Sequence, residues 1–273
     1  GECSRGSAWD VWHANYATFI LRYARLANAW GVEHFVVTHE LYAVNDGWDV
    51  NQTGVGRCND LLERLVAAVR VACPKCTLSA VITRREAAPW GPRWYSKLDV
   101  LATDFYPSFF VGHPSLPWQT SANLSAQFAA AIASDMQQYR HTSEFFGGKQ
   151  ILITEYGFQS QPWSYSRTPG AITGNNPGLL DVASCEVTDQ CVSMRAQALG
   201  YDLSMRALFA EPWFKGIAVW LWRADPTHGG AESDSFSPNG KSSIAVLAKW
   251  FAHAHTHAAR SSARTNKGVI REA

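Results

Sequence analysis

Three observations predict an α/β fold built on a parallel sheet. Short, continuous apolar runs recur along the chain, as strands buried on both faces do, and each leads into a segment with helical periodicity. The third is size: 273 residues, 47% hydrophobic and 17% charged, suffice for one large hydrophobic core and exclude disorder over most of the length.

Residues 12–30 form the first expected helix, with Phe19, Leu21, Tyr23, Leu26, Ala27 and Trp30 at mixed three- and four-residue spacing and Gly31 as its stop. Phe35 to Thr38 is a short β-branched strand. A second helix over 57–72 carries Leu61, Leu62, Leu65, Val66 and Val69 on one face, and Leu78 to Ile82 is the second strand. Leu98 to Phe105 is the third, stopped by Pro107. A long helix over 122–145 ends at Gly147-Gly148, and Gln150 to Thr154 is the fourth strand. Beyond a Gly/Pro/Ser/Asn-rich loop at 158–188 come a helix over 189–210, a fifth strand from Ile217 to Trp222 and a last helix over 242–251. A (β/α)8 barrel and a doubly wound open sheet both satisfy this order; no GxGxxG or GxxxxGK[ST] follows a strand, which removes the usual nucleotide-binding reasons for the open sheet. From His253 the periodicity stops, so the chain divides into a folded domain over 1–252 and a disordered basic tail over 253–273.

With 24 basic and 23 acidic side chains there is no basic excess to neutralise nucleic-acid phosphates, and no run approaches the ~18 apolar residues of a membrane span. Beginning at Gly1 without a signal pattern, the chain reads as a processed or excised piece. Six cysteines and two glycosylation sequons, Asn51-Gln52-Thr53 and Asn123-Leu124-Ser125, favour a secreted glycoprotein in an oxidising compartment. Cys185 and Cys191 are the expected disulfide; Cys73 and Cys76 form either a tight local bridge or two plain thiols, since no second CxxC completes a zinc site. The alternating His253, His255 and His257 would suit a metal only if held in a strand, and no metal site or cofactor is expected.

Function in such folds is read from the carboxyl ends of the strands. Here those ends read Thr38-His39-Glu40, Asp104-Phe105-Tyr106-Pro107, Thr154-Glu155-Tyr156-Gly157 and Trp220-Leu221-Trp222-Arg223. Two glutamates terminating apolar strands, with aromatic residues on neighbouring ends, are the equipment of glycoside hydrolysis. One carboxyl must stay protonated to serve the leaving oxygen while the other attacks the anomeric carbon. Twelve tryptophans fit the same chemistry, because the flat indole face stacks on sugar rings.

These four stretches, in this order, resemble the retaining clan-A glycoside hydrolases, and most nearly glycoside hydrolase family 113, a group of TIM-barrel β-mannanase-like enzymes. Tyr23 to Ala27, Pro212 to Ile217 and Ser237 to Lys241 add to the resemblance, which covers residues 12–251. It implies Glu40 as acid/base at the end of strand four and Glu155 as nucleophile at the end of strand seven. Tyr106 would lie near the nucleophile or sugar, Trp220 or Trp222 would be the sugar platform, and His39 and Asp104 would contact substrate. His39 stands where the clan usually has Asn; it either donates the same hydrogen bond or shifts the pKa of the acid by its charge. Only 39 residues precede Glu40, whereas three βα units would need on the order of 100. The expectation is therefore a TIM barrel truncated to strands 4–8, a monomer acting on oligo- or polysaccharide. The alternative is an inactive carbohydrate-binding or scaffold protein derived from such a barrel.

Overall fold

The computed structural model describes residues 6–40, 55–82, 93–107, 121–160 and 194–254, apart from 226 and 234. In chain order these form α1 (Gly6–Trp30), β1 (His34–Val36), α2 (Val55–Ala72), β2 (Thr77–Ser79), β3 (Val81–Ile82), a 3-10 turn (Arg93–Lys97), β4 (Leu101–Asp104), α3 (Ser121–Phe145), β5 (Ile151–Tyr156), α4 (Met194–Leu208) and β6 (Phe214–Val219). A last helix, α5, spans 243–254 and so carries His253 within it.

β1 pairs in parallel with β2, β3 with β4 and β4 with β5, and β6 follows β5 in the sheet. Ala80 alone separates β2 from β3. Val81 N–H donates to Thr38 O (2.9 Å) on one side while Ala102 N–H donates to Ala80 O (3.0 Å) on the other, so 77–82 acts as a single strand position. The described residues thus contain five successive strand positions, as the sequence leads one to expect.

Boundaries differ for definable reasons. The third strand begins at Leu101 rather than Leu98 because Asp99 is held outside the ladder: its carboxylate accepts from Leu78 N–H (2.8 Å) and from Arg70 (3.0 Å to each oxygen). The fourth strand runs on through Glu155 and Tyr156, so Glu155 belongs to the strand and not to the turn after it. The fifth lies three residues earlier than its apolar run suggested, fixed by Ile151 N–H donating to Trp213 O (2.7 Å), and leaves Trp220 and Trp222 beyond the strand. Cys73 and Cys76, across the turn from α2 to β2, are joined by a disulfide. Cys185, Cys191, the Asn51 sequon and the tail from 255 lie outside the described residues; the Asn123 sequon lies in the first turns of α3, described in its backbone alone.

The chain forms two compact units. The first comprises Gly1–Phe105, Ala133–Glu155 and Pro212–Ala218; the second comprises Tyr106–Ile132, Tyr156–Glu211 and Val219–Ala273. In the first, α2 buries Leu62, Leu65, Val66 and Val69, the face its periodicity marks, and Leu78 and Val81 are buried in the sheet. A chain of rings runs from Phe105 to Tyr139 to Trp213, each pair 5.6 Å apart. The buried positions among the described side chains of α1 are Ile20, Ala24 and Ala27; Phe19, Tyr23, Leu26 and Trp30, which mark the helix in the sequence, are exposed, Trp30 by 84%. In the second unit Tyr156, Phe158 and Tyr201 pack ring to ring within 5.4–5.8 Å and are completely or almost completely buried.

Candidate active site

The first unit gathers three of the sequence-predicted residues at the carboxyl ends of its strands. His39 follows β1, Asp104 ends β4 and Glu155 lies in β5. His39 Nε2 is 2.9 Å from Asp104 Oδ2 and 3.2 Å from Glu155 Oε1. Asp104 is 8% exposed, Glu155 21% and His39 46%. Asp104 Oδ2 is shut off from solvent, and among the described residues its one partner is the His39 imidazole.

A local irregularity makes this convergence possible. Up to Thr103, opposite Ile153, the β4–β5 ladder is regular; then the register shifts and Asp104 faces Glu155. Thr154 is the extra residue, as in a β-bulge. Continued without the shift, the ladder would set Asp104 against Thr154 and Glu155 beside Phe105. The inserted residue also takes a role: Thr154 Oγ1 donates to Asp104 Oδ1 (2.9 Å) and to Thr103 O (3.2 Å), orienting the carboxylate, and Phe105 N–H donates to Glu155 O (2.9 Å).

The segment carrying His39 and Glu40 is tied down from α1. Tyr16 O–H donates to Val37 O (2.9 Å), its ring stacked on Trp12 at 5.1 Å, and burial pushes the phenol up to about 12. Glu40 adopts φ +45°, a left-handed conformation uncommon for a residue with a side chain. His34, at the other end of β1, is engaged by Ser79 Oγ at 2.7 Å.

Contact with Asp104 raises the His39 pKa; partial burial works against ionisation, but the charges of Asp104, Glu155 and Glu40 add to the upward direction. Glu40 is also raised, first by partial burial and then by the negative charges of Asp104 and Glu155, with His39 pulling the other way. The site therefore favours a positive histidine among carboxylates, one of which is driven toward its protonated form.

Tyr106, Trp220 and Trp222 belong to the second unit. Tyr106 is half-buried, its ring 6.0 Å from that of Phe236; Trp220 and Trp222 are 38% and 47% exposed. Trp220 N–H donates to Tyr156 O (2.8 Å). At Gly157 the chain passes so close to Trp220 that a Cβ there would overlap the Trp220 carbonyl oxygen and touch Phe236 at 3.0 Å. Residues after β6 are held by a buried amide: Gln197 Nε2 donates to Phe158 O (2.9 Å) and Phe236 O (3.0 Å), and Ser243 O–H donates to Gln197 Oε1 (2.6 Å). In the Ser237–Lys241 stretch, Lys241 Nζ donates to Ser235 O (2.8 Å).

Sequence reasoning missed Thr154, Tyr16 and Gln197 as organising residues. Thr154 lies inside a quoted motif, but a bulge leaves no compositional mark. Tyr16 and Gln197 are single polar positions on helices, and only tertiary contact distinguishes them.

No family model matches the sequence, and no curated protein matches it. Among solved structures the chain is similar to a GH113 β-1,4-mannanase, with TM-score 0.59 and 17% identity over 92% of this chain and 67% of that one. A complex of a GH113 β-1,4-mannanase gives TM-score 0.58 at 17% identity, with the same coverage of both chains. The GH113 β-mannanase AaManA from Alicyclobacillus acidocaldarius, in complex with ManMIm, gives 0.57 at 18% identity over 89% of this chain and 63% of that one. The chain therefore has the α/β fold of the TIM-barrel glycosidases represented by these β-mannanases, and spans about two thirds of their length.

Proposed function

We propose that the chain is a retaining glycoside hydrolase acting on β-linked polysaccharide of the β-mannan or β-glucan type. Its five strand positions take the places of strands four to eight of the barrel. The observation that carries the reading is the cluster at the strand ends, where His39 bridges Asp104 and Glu155 while Glu40 is pushed toward its protonated form. In this reading Glu155 attacks the anomeric carbon and Glu40 protonates the leaving oxygen. Glu40 then deprotonates the water that releases the glycosyl-enzyme with net retention. His39 sets a positive charge beside the nucleophilic carboxylate, and Trp220, Trp222 and Tyr106 serve as aromatic contacts for sugar. The Cys73–Cys76 disulfide supports placing the protein in an oxidising, secretory compartment.

Hydrolysis of β-1,4-mannan and β-glucan by the whole chain, followed by proton NMR of the first-formed anomer, tests this. The expected product retains the β configuration, and Glu155→Gln lowers kcat by about 10³-fold or more, near 4 kcal/mol of lost transition-state stabilisation. Equal rates in wild type and Glu155→Gln overturn the assignment. A non-catalytic carbohydrate-binding protein is the second reading, favoured by the span of about two thirds of the matched mannanases. It requires sugar binding without turnover in either form.

A further inference from the structure

The three side chains around His39 have a second chemical capacity. His39 Nε2, Asp104 Oδ2 and Glu155 Oε1 all lie within 4.8 Å of one another, with separations from the imidazole nitrogen of 2.9 and 3.2 Å. A tetrahedral zinc ion takes imidazole nitrogen at about 2.0–2.1 Å and carboxylate oxygen at about 2.0–2.2 Å, so its neighbouring ligand atoms stand roughly 3.3 Å apart. The observed spacings need only a small spread to admit the ion. Asp104 adds a second observation: its side chain is more than nine-tenths buried, and among the described residues the oxygen facing His39 has no partner other than His39 itself. Its other oxygen is fixed by Thr154 O–H at 2.9 Å, the outer hydrogen bond that metal-ligating carboxylates use to hold their orientation. Imidazole with two carboxylates suits zinc and its borderline neighbours, whereas magnesium and calcium prefer oxygen-only shells.

We propose that His39, Asp104 and Glu155 form a site for one zinc-class divalent cation, with a fourth position open to water or a hydroxyl of a bound molecule. No sequence spacing announces it, since the ligands come from three strands and the β4–β5 bulge brings two of them together. In the hydrolase reading such an ion covers the nucleophile and inhibits turnover. That consequence rests on the reading above; the binding does not.

Calorimetric titration of the metal-stripped whole chain with zinc chloride, and separately with magnesium chloride, tests the site. The expected result is zinc binding that survives replacement of His253, His255 and His257 by Gln but weakens at least about ten-fold in His39→Asn and in Asp104→Asn. Magnesium is expected not to compete. Circular dichroism checks each variant, and Glu155→Gln gives a third probe should either of the others fail to fold. Absence of zinc binding, binding unchanged in His39→Asn, or binding lost only with the tail histidines overturns the proposal. Zinc bound by a chain that cleaves no glycan leaves this site standing while removing the hydrolase reading.

Discussion

His39 titrates against its own burial. Alone, its partial enclosure would lower its pKa; the hydrogen bond to Asp104, with the charges of Asp104, Glu155 on β5 and Glu40 next in the chain, turns the net shift upward. A group whose folded pKa lies above its unfolded value of about 6.5 adds stability fully present below that value and lost as pH rises through the folded one. Denaturant unfolding of wild type and His39→Gln at pH 5 and pH 8.5 is therefore expected to show the larger penalty at pH 5, and an equal penalty at both would count against the ion-pair arrangement. Glu40, raised as well, carries the same sign: its neutral form suits the folded state, and its contribution fades as pH rises. All four residues are legible in the sequence as polar groups at strand ends. The contacts between them are not, because a strand end fixes where a side chain starts and says little about its partner. Asp104, expected to contact substrate, has its side chain largely buried beside His39.

At the scale of elements, helix and strand order follows from periodicity because each apolar run is short and each amphipathic stretch long. Boundaries escape it where one polar anchor wins over a run, as Asp99 does by capturing Leu78 N–H and Arg70. The register shift in β4–β5 escapes it altogether, since Thr154 would suit a regular strand equally well. Gly157, just past β5, shows a tighter constraint: its missing Cβ is the space the Trp220 carbonyl occupies. Gly157→Ala is expected to cost about 1–3 kcal/mol, an overpacking penalty, and to lower Tm by about 2–10 °C in a calorimetric scan. A variant that melts with the wild type would mean that this close approach is relaxed in solution.

For the whole molecule, length alone suggests a complete α/β domain, and the described residues hold five strand positions with their helices. The comparison with solved structures sets that beside chains of which this one spans about two thirds, at identities where only the fold is common. The exposed row on α1, Phe19, Tyr23, Leu26 and Trp30, illustrates a limit of pattern reading: periodicity says that a helix has an apolar side, and only packing says that Ile20, Ala24 and Ala27 went inward. The left-handed turn at Glu40 has a different reach. A glycine there would relax the backbone, and Glu40→Gly is expected to stabilise the fold by about 1 kcal/mol at most, raising Tm by roughly 1–3 °C; a fall in Tm would refute this. In the hydrolase reading, stability and chemistry pull this one position in opposite directions. In that reading a Glu40→Gly chain that melts higher but no longer turns over substrate would show a backbone conformation held for the sake of its side chain.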